Sequence, residues 1–177
     1  MKFTTSPILI LLVGCLLTSC NGLRSGNTST TDATRLDQIE TMYAEYREDF
    51  PEVKDITPQG VADLQKSDGI VLVDVREPEE QAVSMIPGAI TAEAFAAAEE
   101  TYRDKTVVTY CTIGARSGVY ADELRQKGFD VFNLKGSLLA WTHAGLPLTD
   151  ADGQDTKRVH VYGKTWDLAA EGYEAVW

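Results

Sequence analysis

A chain of 177 residues with 44% hydrophobic and 8% aromatic side chains can form one domain with attachments, and is too polar on average for a polytopic membrane protein. Its formal charge of -11, from 27 acidic against 16 basic residues, speaks against a nucleic-acid-binding surface. Any anionic substrate must therefore be captured by a local site.

Lys2 precedes "PILILLVGCLL", an apolar run too short to span a bilayer comfortably but suited to the h-region of a secretory signal. It leads into Leu17-Thr18-Ser19-Cys20, which resembles the lipobox of bacterial lipoproteins. That resemblance implies a signal peptide over 1–19, lipid on Cys20, and an exported chain anchored to a bacterial membrane on the envelope or periplasmic side. An uncleaved anchor or ordinary signal cleavage would export the domain equally. With Cys15 removed and Cys20 acylated, Cys111 is the one free thiol, and an intramolecular disulfide is ruled out. A leftover cysteine in an oxidising compartment is either buried and inert or kept for its reactivity.

Residues 20–33 are rich in Ser, Thr, Asn and Gly, the composition of a flexible tether. Thr34 and Asp37 fit a helix-start signature, and Leu36, Ile39, Tyr43, Tyr46 and Phe50 recur at helical spacing, which predicts an amphipathic helix over 34–50. Within 51–148, Thr57-Pro58 opens a helix, "IVLVDV" reads as a buried strand, and Pro78-Glu79-Glu80 suits another helical first turn. After the Pro87-Gly88 turn, "TAEAFAAAEETYRDK" is an Ala-rich helical candidate, "TVVTY" a strand, Ser117 to Lys127 a helix closed by Gly128, "FDVFNL" a strand, and Ser137 to His143 a short helix. Strands alternating with helices predict an α/β fold, a parallel sheet flanked by helices on both faces. The segment 149–177 adds a short strand around Val159 to Tyr162 and an aromatic end, with Trp166, Tyr173 and Trp177 expected to pack on the sheet or to meet a partner.

Cys111 falls where the "TVVTY" strand stops, the place at which open α/β sheets bind ligands. The helix that follows points unpaired N–H groups and a positive dipole end at this loop, and Arg116 adds a fixed charge, so the thiolate is favoured. Gly114 allows backbone angles that turn successive amides inward as an anion-binding nest. Arg116 can bind the anionic part of a ligand, and it can equally serve in a structural salt bridge. Asp74 and Arg76 are supporting candidates at a neighbouring strand end, or a structural pair. His143 and His160 have no metal-ligand spacing, so no metal site is expected.

Cys111-Thr112-Ile113-Gly114-Ala115-Arg116-Ser117 resembles the C-x-x-G-x-R-S active loop of rhodanese-like sulfurtransferases. "LVDVREPEE", "IPGAI" and "LKGSLLAWTHAGLP" resemble further segments of that family, in the family's order, with Met85 where a histidine is common and Lys135 at a glycine position. The resemblance implies a compact rhodanese-like parallel sheet over about 53–148. It further implies that Cys111 attacks the outer sulfur of a donor, releases sulfite or a thiol, and carries a persulfide that a thiol or cyanide acceptor removes, with no metal or organic cofactor. In that scheme Cys111 and Arg116 are catalytic, and Thr112, Ile113, Gly114, Ala115 and Ser117 cradle a small anionic sulfur donor. Two rivals remain open. Cysteine phosphatases use a similar loop, usually one residue longer between Cys and Arg, and a smaller loop favours sulfur over a tetrahedral phosphate. A non-catalytic sulfur carrier or binding module would retain the same cradle.

Overall fold

In a computed structural model that describes residues 31–177, five short strands pair side by side in parallel. The expected signal peptide, the lipid on Cys20 and all but the last residues of the tether lie outside the described residues. The strands are β1 (Lys54–Ile56), β2 (Ile70–Asp74), β3 (Ile90–Thr91), β4 (Thr106–Tyr110) and β5 (Val131–Leu134), in the spatial order β1-β5-β4-β2-β3. The register sets Asp74 beside Tyr110 and Thr109 beside Asn133, so the C-terminal ends of β2, β4 and β5 open on one edge.

The two-residue period of a strand divides the core. Leu72, Val108 and Tyr110 face one layer with α2 (Pro58–Leu64), α6 (Ser137–His143) and part of α1 (Asp32–Tyr46), where Ile39, Val61, Leu138 and Trp141 are buried. Val71, Val73, Val107 and Val131 face the other, beneath Phe95 of α4 (Ala92–Ala97) and Ala121 and Leu124 of α5 (Ala115–Gln126). This is the predicted α/β arrangement.

Several boundaries differ from the sequence reading. Helix α1 begins at Asp32, inside the expected tether, because the Thr31 hydroxyl accepts the Thr34 N–H; it ends at Tyr46 and continues as a 3-10 turn over Arg47–Asp49. The Ala-rich stretch does not make one long helix. Ala98 leaves helical geometry at φ -128°, and the 3-10 turn Glu99–Tyr102 folds Tyr102 back onto Phe95 at a ring distance of 5.2 Å. Stacking the half-buried Tyr102 on the buried Phe95 outweighs the alanines' helix propensity. Helix α5 starts at Ala115 rather than Ser117, since Gly114 is its N-cap.

Residues beyond the sheet wrap it. β6 (Leu148–Thr149) pairs antiparallel with β7 (Asp155–Thr156), crossing the expected boundary at 148, and Thr149 also bridges Met85. β8 (Arg158–His160) pairs in parallel with β9 (Glu174–Val176), and Val159, Val161, Leu168, Ala169 and Ala170 are buried. α3 (Pro78–Val83) lies against β8, which carries the 160s loop toward the strand edge that holds Cys111.

Candidate active site

Cys111 follows β4 directly and is 1% exposed. Its sulfur accepts the Gly114 N–H at 3.1 Å and lies 3.6 Å from Ser117 Oγ. Gly114 has φ +109°, which turns its N–H back toward the thiol, and a Cβ there would stand 2.5 Å from Tyr43 Cε2. Glycine is thus required twice over, by backbone and by space. As N-cap and first-turn residues of α5, Gly114 to Ser117 present amides that the helix itself does not use, on the side where the sulfur lies.

The loop is held from two further directions. The N–H of Cys111 donates to Ser137 Oγ at 3.1 Å, and the first-turn amides of α6, from Leu138 and Leu139, cap the carbonyls of Cys111 and Thr112 at 3.2 and 3.1 Å. Ser137 adopts φ +46°, an uncommon angle for a residue with a side chain, so the loop's anchor is a strained position. From below, Ser117 Oγ donates to Asn133 Oδ1 at 2.7 Å, and Asn133 Nδ2 donates to Gly114 O at 2.9 Å and to Tyr43 Oη at 3.1 Å. Tyr43 donates in turn to Asp55, and burial together with Asp55 pushes its phenol well above the ordinary value, so it stays a donor. A continuous hydrogen-bonded chain therefore joins α1 and β1 to the residue beside the thiol.

Arg116 stands in the first turn of α5, and its guanidinium forks onto Glu80, with Nη1 and Nη2 at 2.7 and 2.8 Å from the two carboxylate oxygens. Thr112 Oγ1 shares the cluster, 3.2 Å from Glu80 Oε1. Burial alone works against the Glu80 charge, but hydrogen bonds from Arg116 and the Glu77 N–H, and the charges of Arg116 and Arg76, outweigh it and hold its carboxyl below the usual range. Asp74 and Arg76 form a separate, fully buried pair at 2.7 Å; Arg76 also donates to Ser84 O at 2.6 Å and lies over the Tyr110 ring. They brace the segment that carries Glu80 and do not line the space above the thiol.

That space is a pocket of about 350 Å³ walled by the Cys111 loop, Arg116, Tyr46, Tyr162 and Trp166. Of the residues expected to cradle a ligand, Thr112, Ile113 and Ala115 line it, while Gly114 and Ser117 work from behind the sulfur. Sequence reading missed Glu80 as the partner of Arg116, Asn133 and Ser137 as loop anchors, and the three aromatic walls. His160, which the sequence offered no metal partner, accepts the Tyr162 N–H on Nδ1 and lies 3.8 Å from Glu80. Among the described residues no group of three or more His, Cys, Asp or Glu side chains could hold a metal ion.

The Glu80 pair gives a pH-dependent prediction. A carboxyl whose folded pKa is depressed contributes stability above its unfolded value, about pH 4.3, and loses it as pH falls through the folded value. Glu80→Gln should cost ~1–3 kcal/mol in urea unfolding at pH 7, and that difference should shrink below the ordinary carboxylate range. A difference that persists unchanged in acid would contradict the ion pair as its source.

Residues 57–144 match the family model described as Rhodanese-like domain. A sulfurtransferase of Allochromatium vinosum is 37% identical over 94 residues, which are 51% of this chain and 88% of that protein. A thiosulfate sulfurtransferase of Actinobacillus succinogenes is 33% identical over 103 residues, 56% of this chain and 93% of that one. Among solved structures, a thiosulfate sulfurtransferase from Pseudomonas aeruginosa superposes with a TM-score of 0.52 at 28% identity, over 57% of this chain and 20% of that larger one.

Proposed function

We propose that this chain, which belongs to the rhodanese-like family, moves a sulfane sulfur from thiosulfate or a persulfide to a thiol or cyanide through a persulfide on Cys111. The observation that carries this reading is the Cys111 sulfur on the floor of an open pocket, receiving the Gly114 N–H at the mouth of α5. A thiolate there attacks the outer sulfur of the donor: the new bond forms to Sγ, the donor's S–S bond breaks, and sulfite or a thiolate leaves with the electron pair. The acceptor then attacks the outer sulfur of the persulfide, and Cys111 leaves as thiolate. The Gly114 N–H and the helix dipole stabilise negative charge on the sulfur at both stages. Thr112, Ile113 and Ala115 shape the wall, Ser117 holds the sulfur's flank, and Arg116 with Glu80 fixes the rim. No metal or organic cofactor has a step in this scheme.

The motif at Cys20 supports an exported, lipid-anchored location at the cell envelope, with the domain facing the periplasm. Steady-state assays of the full chain with thiosulfate or a persulfide as donor and cyanide or dithiothreitol as acceptor test the activity, run beside hydrolysis of an aryl phosphate. Sulfur transfer with negligible phosphate release is expected; phosphate release at a matching rate would favour the phosphatase reading instead.

A further inference from the structure

We infer that Tyr46, Tyr162 and Trp166 make this site select an organic persulfide with an apolar or aromatic body as its sulfur donor, in preference to thiosulfate. The inference rests on the sulfur-transfer reading above and concerns which donor that site takes.

All three rings come from outside the segment that matches the family model. Tyr46 ends α1, and Trp166 lies in the 3-10 turn Lys164–Trp166 of the C-terminal extension. The two stack at 6.2 Å with 27° between planes, and Tyr162 tilts against Trp166 at 5.5 Å, so one aromatic wall runs beside the thiol. Tyr162 is 61% exposed and adopts φ +69°, a costly conformation for a bulky side chain. Its backbone is fixed there by His160 Nδ1, and the chain spends that conformational energy on placing an exposed ring over the Arg116 guanidinium at 5.5 Å. Such strain in an exposed residue beside a nucleophile points to a ligand contact.

Charge points the same way. Among the described residues, Arg116 is the one charged residue lining the pocket, and both of its terminal nitrogens are bound to Glu80 while Tyr162 covers its face. A thiosulfate dianion entering this space would lose water and meet a guanidinium whose charge is already paired with the buried Glu80 carboxylate. An uncharged body loses little water and gains contact with the rings. The volume of about 350 Å³ suits a small organic molecule better than an inorganic ion. With Cys111 only 1% exposed, the donor's body lies along the wall while its terminal sulfur reaches down to Sγ. In the transfer, Cys111 thiolate bonds to the outer sulfur of R–S–SH, the donor S–S bond breaks, R–S⁻ leaves with the pair, and the proton stays on the transferred sulfur.

The test is single-turnover loading of the full chain with benzyl hydropersulfide, cysteine hydropersulfide and thiosulfate at equal subsaturating concentrations. The added sulfur is located on the Cys111 peptide, and Cys111→Ser serves as the blank. Cysteine hydropersulfide controls for the chemistry of the S–S bond. Benzyl hydropersulfide should load at least about tenfold faster than either other donor, Trp166→Ala should reduce that preference about tenfold, and Trp166→Phe should largely keep it. A wild-type preference near one overturns the inference, as does Trp166→Ala slowing all donors alike. Loading from no donor at all would overturn the sulfur-transfer reading itself.

Discussion

Cys111→Ser should leave a folded chain that has lost sulfur transfer by at least about a thousandfold, because every step of the proposed cycle passes through the one sulfur atom. Serine keeps nearly the shape of cysteine, and the surrounding partners can still be met: the Cys111 N–H bonds Ser137 Oγ and the Gly114 N–H needs only an acceptor. A hydroxyl at this place, however, is a poor nucleophile toward sulfur and forms no persulfide. Thermal unfolding within a few degrees of wild type, with no transfer to cyanide, is the expected pair of results. Full activity in the serine variant would mean that Cys111 is not the carrier.

Asp74→Ala should be among the most destabilising single changes in the domain, at ~3–5 kcal/mol, because it leaves the Arg76 guanidinium charged and unpaired in the interior. Both side chains are 0% exposed, and Arg76 reaches Asp74 through Nε at 3.0 Å and Nη2 at 2.7 Å. Burial alone would lower the Arg76 pKa, but the Asp74 charge and hydrogen bonds reverse that and raise it, so the arginine stays protonated. At 2–4 °C per kcal/mol for a chain of this size, the unfolding midpoint should fall by roughly 10 °C. Replacing the pair together, as Asp74→Leu with Arg76→Met, should cost much less than Asp74→Ala alone, since neither partner is then left charged. Calorimetry on the single and double variants measures the difference; equal losses would show that packing, not the stranded charge, sets the cost.

The sheet was legible because β2 and β4 are short runs rich in β-branched residues, and Cys111 was legible because a cysteine, a glycine and an arginine follow one of those runs in a tight spacing. β1 and β3 were not, since three residues in Lys54–Ile56 and two in Ile90–Thr91 are too few to show a period, and pairing with a longer neighbour is what makes them strands. Glu80 read as a first-turn acid of α3, which it is; its second task, holding Arg116 across 36 positions of sequence, exists only in three dimensions. A signal was present, since an arginine beside a thiol in an acidic chain calls for a carboxylate, but several carboxylates could have answered. Tyr46 belonged to a helical stripe that pointed to packing, and Trp166 to an aromatic tail. Only the placement of β8 against α3 brings the tail over the cysteine. The helix start at Ala115 was missed because the cap is a glycine at φ +109°, whereas a sequence pattern looks for a side-chain cap such as Ser117.

The central claim, that Cys111 carries the sulfur, is tested most directly by intact mass of the full chain after thiosulfate or a persulfide donor, and again after cyanide or dithiothreitol. The account predicts a gain of about 32 Da, mapped to the Cys111 peptide and lost on addition of the acceptor. A folded chain with reduced Cys111 that gains no sulfur from either donor, or whose sulfur stays in place when the acceptor is added, would contradict it.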